Sequence, residues 1–344
     1  MQNAEHRIAA HQVKARSARQ ITFCILCSVF CVLIAASCST GPSPTFLSIA
    51  TGGTGGVYYP YGGGLAKIIS EKIPGVQATA EVTGASADNL KLLQQGRADL
   101  AFTLADTLAD AVKGTGAFAS TGPVPAQTIA ILYQNFTHIV TLEGSGIGSV
   151  RDLRGRRVSV GSPGSGTELI AARVLEAAGL DAHRDITRQA LGVSESVNAL
   201  KDGKLDAFFW SGGLPTPAVQ DLAGTSGIRL RLLPNAEFAA ALSARYGPGL
   251  YAEAMIPARS YRGQIEPVPV MTVGNFLVAS AAMPEPLAHD ITKLLFDEQH
   301  ALIAIHPEAR HLAPATGPED SPAPFHPGAM RFYWKMENGK WKLN

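Results

Sequence analysis

Between Ser48 and Gly64 the chain reads Ser-Ile-Ala-Thr-Gly-Gly-Thr-Gly-Gly-Val-Tyr-Tyr-Pro-Tyr-Gly-Gly-Gly, and this stretch restricts the possible folds more than any other. An apolar run, Phe46 to Ala50, ends in four glycines and two threonines. A helical pattern then starts near Tyr58, with Leu65, Ile68 and Ile69 on one face. That order is strand, glycine loop, helix N-terminus. Glycine, lacking a Cβ, lets the backbone approach a ligand closely. The unpaired N–H groups and partial positive charge of a helix start favour an anion, and Thr51 and Thr54 offer hydroxyl donors. A plain strand-to-helix turn has the same composition.

The scheme recurs in Arg157-Val-Ser-Val-Gly-Ser-Pro-Gly-Ser-Gly-Thr-Glu168, where a short strand passes through a Gly/Ser loop into a helix with Leu169, Ala172, Val174 and Leu175 apolar. Two such half-sites predict two lobes that offer helix ends to one shared ligand. No Gly-Lys-Ser/Thr follows either loop, so neither is a Walker phosphate loop. Gly161-x-x-Gly164 has the wrong spacing for a dinucleotide fingerprint.

A chain of 344 residues is long enough for two domains with cores of their own. Its formal net charge of +1, with 17% charged residues, argues against nucleic acid or a polybasic membrane surface as partner. Residues 1–38 read as a secretory signal: Arg7, Lys14, Arg16 and Arg19 precede an uncharged apolar run from Ile21 to Ser37. Ala35-Ala36-Ser37-Cys38 resembles a bacterial lipobox, with Ala35 where leucine is usual. A lipid-modified Cys38, tethering the chain to the membrane in the periplasm, is the expectation; ordinary cleavage or an uncleaved anchor are the alternatives. Cys24, Cys27, Cys31 and Cys38 all fall in this segment, so a processed chain would carry no internal disulfide.

Beyond a linker at 39–45, strands and helices alternate. Strands are expected at Phe46–Ala50, Val76–Val82, Asp99–Leu104, Ile129–Gln134 and His138–Leu142, with helices at Val57–Lys72, Ala87–Gln95 and Asp106–Lys113. After Glu143–Ser149 the alternation resumes through strands Val158–Val160, Ile186–Ala190, Leu205–Trp210 and Ile228–Leu233. Helices Thr167–Ala178, Glu195–Asp202, Thr216–Leu222 and Ala236–Tyr246 separate or follow them. Met271–Ser280 reads as a long strand returning to the first lobe, backed by helix Pro286–Ile305. The fold class is therefore α/β, with mostly parallel sheets in two lobes joined by a two-strand hinge. Lobe I comprises 46–142 plus 271–315, lobe II 143–270, and 316–344 form a C-terminal extension whose last segment is a helix or a tail.

Thr83-Gly-Ala-Ser-Ala-Asp-Asn89 lies between strand and helix, with Ser86 suited to an N-cap or to a ligand. Phe208-Phe-Trp-Ser-Gly-Gly213 occupies the equivalent place in the second lobe; Phe208 and Phe209 are core, and Trp210 is able to wall a pocket. Of Tyr58, Tyr59 and Tyr61, one hydroxyl is expected in the cleft and at least one ring in packing. Asp106 suits an N-cap or the cleft equally. No metal spacing, nucleophile elbow or other catalytic constellation is visible, so neither enzyme activity, metal nor cofactor is expected.

Ala50-Thr-Gly-Gly-Thr-Gly-Gly-Val-Tyr-Tyr-Pro60, Thr83-Gly-Ala-Ser-Ala-Asp-Asn-Leu90, Gly161-Ser-Pro-Gly-Ser-Gly-Thr-Glu168 and Trp210-Ser-Gly-Gly213 together resemble the TAXI-type solute-binding subunits of TRAP transporters. The resemblance runs from about Phe46 to His326-Pro-Gly-Ala329. It implies a two-lobed periplasmic-binding-protein fold, monomeric, that closes over a small carboxylated solute of the glutamate, glutamine or dicarboxylate class. It also implies delivery of that solute to membrane-embedded transporter subunits. Carried onto this chain, the ligand-facing residues are Thr54, Gly55, Tyr58, Ser86, Asn89, Ser165, Gly166, Thr167, Ser211, Gly212 and Gly213. The chain departs from the pattern at Ala105-Asp106, where relatives often carry glutamine, and in Arg331–Asn344. Because no ligand motif contains Arg or Lys, the expected grip on a carboxylate is by neutral N–H and O–H donors. A sensing subunit of a membrane kinase would share such a site. An enzyme would need Asp106 or Glu168 as a base in the cleft.

Overall fold

Apolar strands of five or six residues, each followed by an amphipathic helix, can bury both strand faces only by lining up in a sheet flanked by helices. The computed structural model describes residues 44–315, 317 and 320–336, and has that form. Cys38 and the signal lie outside the described residues. The first part alternates β1 (Thr45–Ala50), α1 (Tyr58–Lys72), β2 (Val76–Glu81), α2 (Ser86–Gln94), β3 (Leu100–Leu104) and α3 (Ala105–Lys113). The strand β4 (Ala126–Leu142) follows, then β5 (Arg157–Ser159), α4 (Gly166–Ala177), β6 (Thr187–Gln189), α5 (Val193–Lys201), β7 (Ala207–Gly212) and α6 (Pro217–Gly224). The chain continues through β8 (Leu230–Leu232), α7 (Ala239–Tyr246), β9 (Ala252–Ile256), β10 (Val268–Ser280), α8 (Glu285–Asp297), α9 (Gln299–Ile305) and α10 (Pro327–Met336).

One mixed sheet runs through the molecule in the order β2-β1-β3-β10-β4-β7-β5-β6, with β8 beside β4 and β9 beside β10. Its two wings are parallel, β1 with β2 and β3 on one side and β5 with β6 and β7 on the other. The centre is antiparallel, because β4 and β10 run between the wings in opposite directions. The two expected crossing strands are these. The two short strands expected at Ile129–Gln134 and His138–Leu142 are one 17-residue strand, β4. Its Ala126–Phe136 part pairs with β10, and its Phe136–Thr141 part pairs with β7, the two ladders meeting at Phe136.

Burial explains the layering. Every residue of β3 is buried, as befits a strand covered on both faces. In α1, Leu65, Ile68 and Ile69 face the core as their spacing requires. Phe208 and Phe209 are core residues, 0% and 1% exposed.

The helix expected over Pro286–Ile305 breaks at Glu298 into α8 and α9. There Gln299 Nε2 donates to the carbonyls of Ala309 and Leu312, fastening the turn that follows α9. The terminal segment, which the sequence left open between helix and tail, forms α10 as far as Met336. Its Tyr333 is fully buried against Phe296 and Phe325.

Candidate functional site

A cavity of about 70 Å³ lies where the two wings meet, and both wings supply its walls. Four helices begin on it: α1 after Gly56-Val57, α2 after Ala85, α4 after Ser165 and α5 after Gly192. Their N-termini bring partial positive charge to one small space. The one charged residue on the lining is Glu195, which is exposed.

Nine of the eleven residues singled out from the sequence line this cavity: Thr54, Gly55, Tyr58, Ser86, Ser165, Gly166, Thr167, Ser211 and Gly212. Thr54 is exposed at its rim. Asn89 and Gly213 do not line it. Asn89 is fully buried one helical turn below, where its Nδ2 donates to the carbonyls of Ala50, Thr51 and Phe102 and ties α2 to β1 and β3. Gly213 faces away, and a Cβ there would stand 2.6 Å from Cγ of Glu308, whose carboxylate accepts from the backbone N–H of Leu214. Ser86 is not an N-cap either. Ala85 occupies that position, while Ser86 Oγ accepts from Leu104 N at 3.2 Å.

Three hydroxyls of the second wing each accept an N–H. Ser165 Oγ caps α4 by accepting from Glu168 N at 3.0 Å. Thr167 Oγ1 accepts from Ser211 N at 3.1 Å, and Ser211 Oγ accepts from Asn135 Nδ2 at 3.4 Å. With an N–H already directed at each oxygen, each proton is left to point elsewhere, and the cavity is rich in donors.

The floor is built by residues that the sequence reading passed over. Tyr133 and Asn135 of β4 line the cavity. Asn275 of β10 sits beneath them, accepting from the Tyr58 hydroxyl through Oδ1 and donating to Asn135 through Nδ2 at 2.7 Å. A polar chain Tyr58–Asn275–Asn135–Ser211 thus runs from α1 across both crossing strands to β7. Burial raises the pKa of Tyr58, so its phenol stays protonated and donates. Gly192, the first turn of α5 (Val193-Ser-Glu195) and Ser162 also line the cavity. A Gly-x-Ser step before a helical pattern was the available signal at residues 192–194.

Trp210 walls the cavity as expected, its Nε1 donating to Thr216 Oγ1 at 2.9 Å. Of the three tyrosines at the start of α1, Tyr58 reaches the site, Tyr61 is buried and Tyr59 is at the surface. Asp106 is in neither expected place. It is fully buried, accepting from Tyr251 Oη and Thr107 N, both at 2.7 Å, with Arg173 3.6 Å away. Burial raises its pKa, and the Arg173 guanidinium opposes that rise. Glu168 is paired with Arg188 and accepts from Gly164 N at 2.8 Å. Neither carboxylate lines the cavity. Among the described residues no cluster of His, Cys, Asp and Glu is placed to hold a metal ion.

The wings also touch each other directly. The carbonyl of Gly164, in the second-wing loop, accepts from Ala87 N and Asp88 N at the start of α2, both at 3.0 Å. The carbonyl of Gly55, in the first-wing loop, accepts from Ala218 N at the start of α6 at 3.3 Å. Each wing therefore satisfies a helix start of the other. Close approach favours glycine at two points: a Cβ on Gly55 would run into Ser194 Oγ, and one on Gly166 would stand 2.5 Å from Leu104 Cδ1 and 2.8 Å from Ser86 Oγ, so in each case a neighbouring side chain would have to shift. Arg173 on α4 adds a buried ion pair to Asp110 on α3 at 2.7 Å.

The chain belongs to the NMT1-like family, whose model matches residues 49–339. Among solved structures it is similar to the periplasmic aliphatic sulphonate binding protein SsuA from Escherichia coli (18% identity, 86% of this chain and 80% of that one, TM-score 0.45). It is also similar to a putative L-cystine ABC transporter protein from Listeria monocytogenes (18% identity, 76% and 94%, TM-score 0.46). An ancestral arginine-binding protein bound to arginine is a third (16% identity, 76% and 97%, TM-score 0.46).

Proposed function

We propose that this NMT1-like protein is an extracytoplasmic solute-binding protein. It captures a small carboxylated solute, of the glutamate, glutamine or dicarboxylate class, between lobes 46–142 plus 271–315 and 143–270. The observation that carries this reading is the cavity itself: four helix N-termini and the hydroxyl residues Thr54, Ser86, Ser165, Thr167 and Ser211 around one small space with no Arg or Lys on its lining. Such a site suits an acceptor-rich anion held by neutral donors. Because each wing contributes part of the donor set, a solute is fully satisfied only when the wings are together, and its binding favours that state.

The signal segment and Cys38 support placement in the periplasm on a lipid tether. The loop motifs support delivery to the membrane-embedded subunits of a TAXI-type TRAP transporter. Among the described residues no helix is long and apolar enough to cross a membrane.

A thermal-shift screen over amino acids, dicarboxylates and monocarboxylates, followed by calorimetry on the best solute, tests the reading. Thr54→Val and Thr167→Val are each expected to weaken binding by about 1–3 kcal/mol. Unchanged affinity in both variants, or a screen in which only cations bind, would end it.

A further inference from the structure

The hydroxyl of Tyr133 is the loose end of the cavity floor. Tyr133 is 3% exposed and lines the cavity, yet its hydroxyl is buried without a hydrogen-bond partner. The polar groups beside it on the cavity floor are paired. Asn135, two residues on, bonds both Asn275 and Ser211, and Tyr58 is engaged with Asn275. The Tyr133 ring is held in place, stacked on Tyr61 with centroids 6.3 Å apart, and Tyr61 in turn packs on Phe102. A fixed ring on a cavity wall that carries an unsatisfied buried hydroxyl is an arrangement suited to a partner that arrives from outside.

We infer that Tyr133 is a specificity-determining residue: its hydroxyl hydrogen-bonds a second polar group on the solute, apart from the carboxylate gripped at the helix starts. The site then selects carboxylates that carry a further hydroxyl, carbonyl or carboxylate over those with a bare hydrocarbon tail. Discrimination of this kind is strong because the apolar competitor leaves a buried protein hydroxyl unpaired. This rests on the solute-binding reading above and narrows it.

Tyr61 supplies the contrast. Its hydroxyl is also buried and unpartnered, but it does not line the cavity. The experiment compares wild type, Tyr133→Phe and Tyr61→Phe by calorimetry with succinate and 4-hydroxybutyrate against butyrate. Wild type should bind the two bifunctional acids at least 10-fold more tightly than butyrate. Tyr133→Phe should lose that preference while butyrate affinity holds, and Tyr61→Phe should behave as wild type. Without solute, Tyr133→Phe should melt at or slightly above the wild-type temperature, since an unsatisfied hydroxyl is removed.

A wild-type protein that binds all three acids equally, a Tyr133→Phe variant that keeps the preference, or one that melts well below wild type overturns the assignment of Tyr133 while leaving carboxylate capture standing. Binding of none of these acids, nor of any carboxylate in the wider screen, removes the solute-binding reading itself.

Discussion

Asn275 on β10 donates to Asn135 on β4 at 2.7 Å, so the two crossing strands are joined by a side-chain bond directly beneath the cavity. The same Asn275 receives the Tyr58 hydroxyl, and the same Asn135 reaches Ser211. One amide pair therefore connects the first helix of one wing to strand β7 of the other. Replacing Asn275 by leucine leaves the Tyr58 hydroxyl and Asn135 Oδ1 without this partner. At about 1–3 kcal/mol for each buried orphan, the unfolding free energy should fall by about 2–6 kcal/mol in a urea titration. The Asn135→Leu, Asn275→Leu double variant should lose less than the sum of the single losses.

Gly166→Ala tests closure separately from folding. The added methyl has no room against Leu104 and Ser86, both on the opposite wing, but it sits on the first turn of α4, where alanine is a good helix former. The ligand-free melting temperature is expected to stay within a few degrees of wild type. Affinity for the solute found by screening should drop about 10-fold or more, and small-angle scattering should show less compaction on adding it. Full compaction with unchanged affinity would count against the contact.

Arg173 is 5% exposed and bonds Asp110 and Tyr251, both at 2.7 Å. Removing it takes the guanidinium from Asp106, which is fully buried, and from Asp110. Arg173→Met is expected to cost about 3–5 kcal/mol, and adding Asp106→Asn and Asp110→Asn should restore part of that loss. A denaturant series on the three proteins gives the comparison.

His138 is fully buried, its Nδ1–H donating to Phe136 O and its Nε2 accepting from Tyr261 Oη, each at 2.8 Å. Burial pushes its pKa down to about 4 from the ordinary 6.5. The folded state thus holds it neutral while the unfolded chain takes up a proton below pH 6.5. Its contribution to stability is present in full above pH 6.5 and is lost progressively as the pH falls toward 4, a total of about 3 kcal/mol. Unfolding free energies at pH 7.5 and 4.5, compared with those of His138→Gln, should show a shallower slope in the variant.

Ala85 stands at the cavity with φ 79° and ψ −148°, a region that is almost the preserve of glycine. Ala85→Gly should stabilise the protein by about 0.5–2 kcal/mol, the relief of strain outweighing the entropy of glycine in the unfolded chain. A chemical denaturation midpoint below wild type would contradict the strain.

The residues legible from the sequence are those on strand-to-helix turns. Gly55, Ser165 and Gly166 announce themselves because a chain that must turn sharply and start a helix is restricted to a few residue types. Asn89 stood in the right turn, but its amide is spent on carbonyls of β1 and β3, a use that depends on strands its own segment does not contain. Tyr133, Asn135 and Asn275 were illegible for another reason. A polar residue in mid-strand has the same alternation whether it faces water or a buried cavity, and Asn135-Phe-Thr137 therefore reads as a break between two strands. The helix α10 was undecidable because the partners of Tyr333, Phe296 and Phe325, are fixed by the tertiary fold.

The continuity of β4 limits how this molecule can be taken apart. Ala126–Phe136 pairs with β10 and Phe136–Thr141 with β7, so the boundary between the halves falls inside a hydrogen-bonded strand. Expressing either half alone would expose a bare ladder edge prone to self-pairing. Engineers wishing to split or permute the chain should cut at the surface turns around Gly144 or Gly263 instead, and expect the pieces to assemble only in each other's presence.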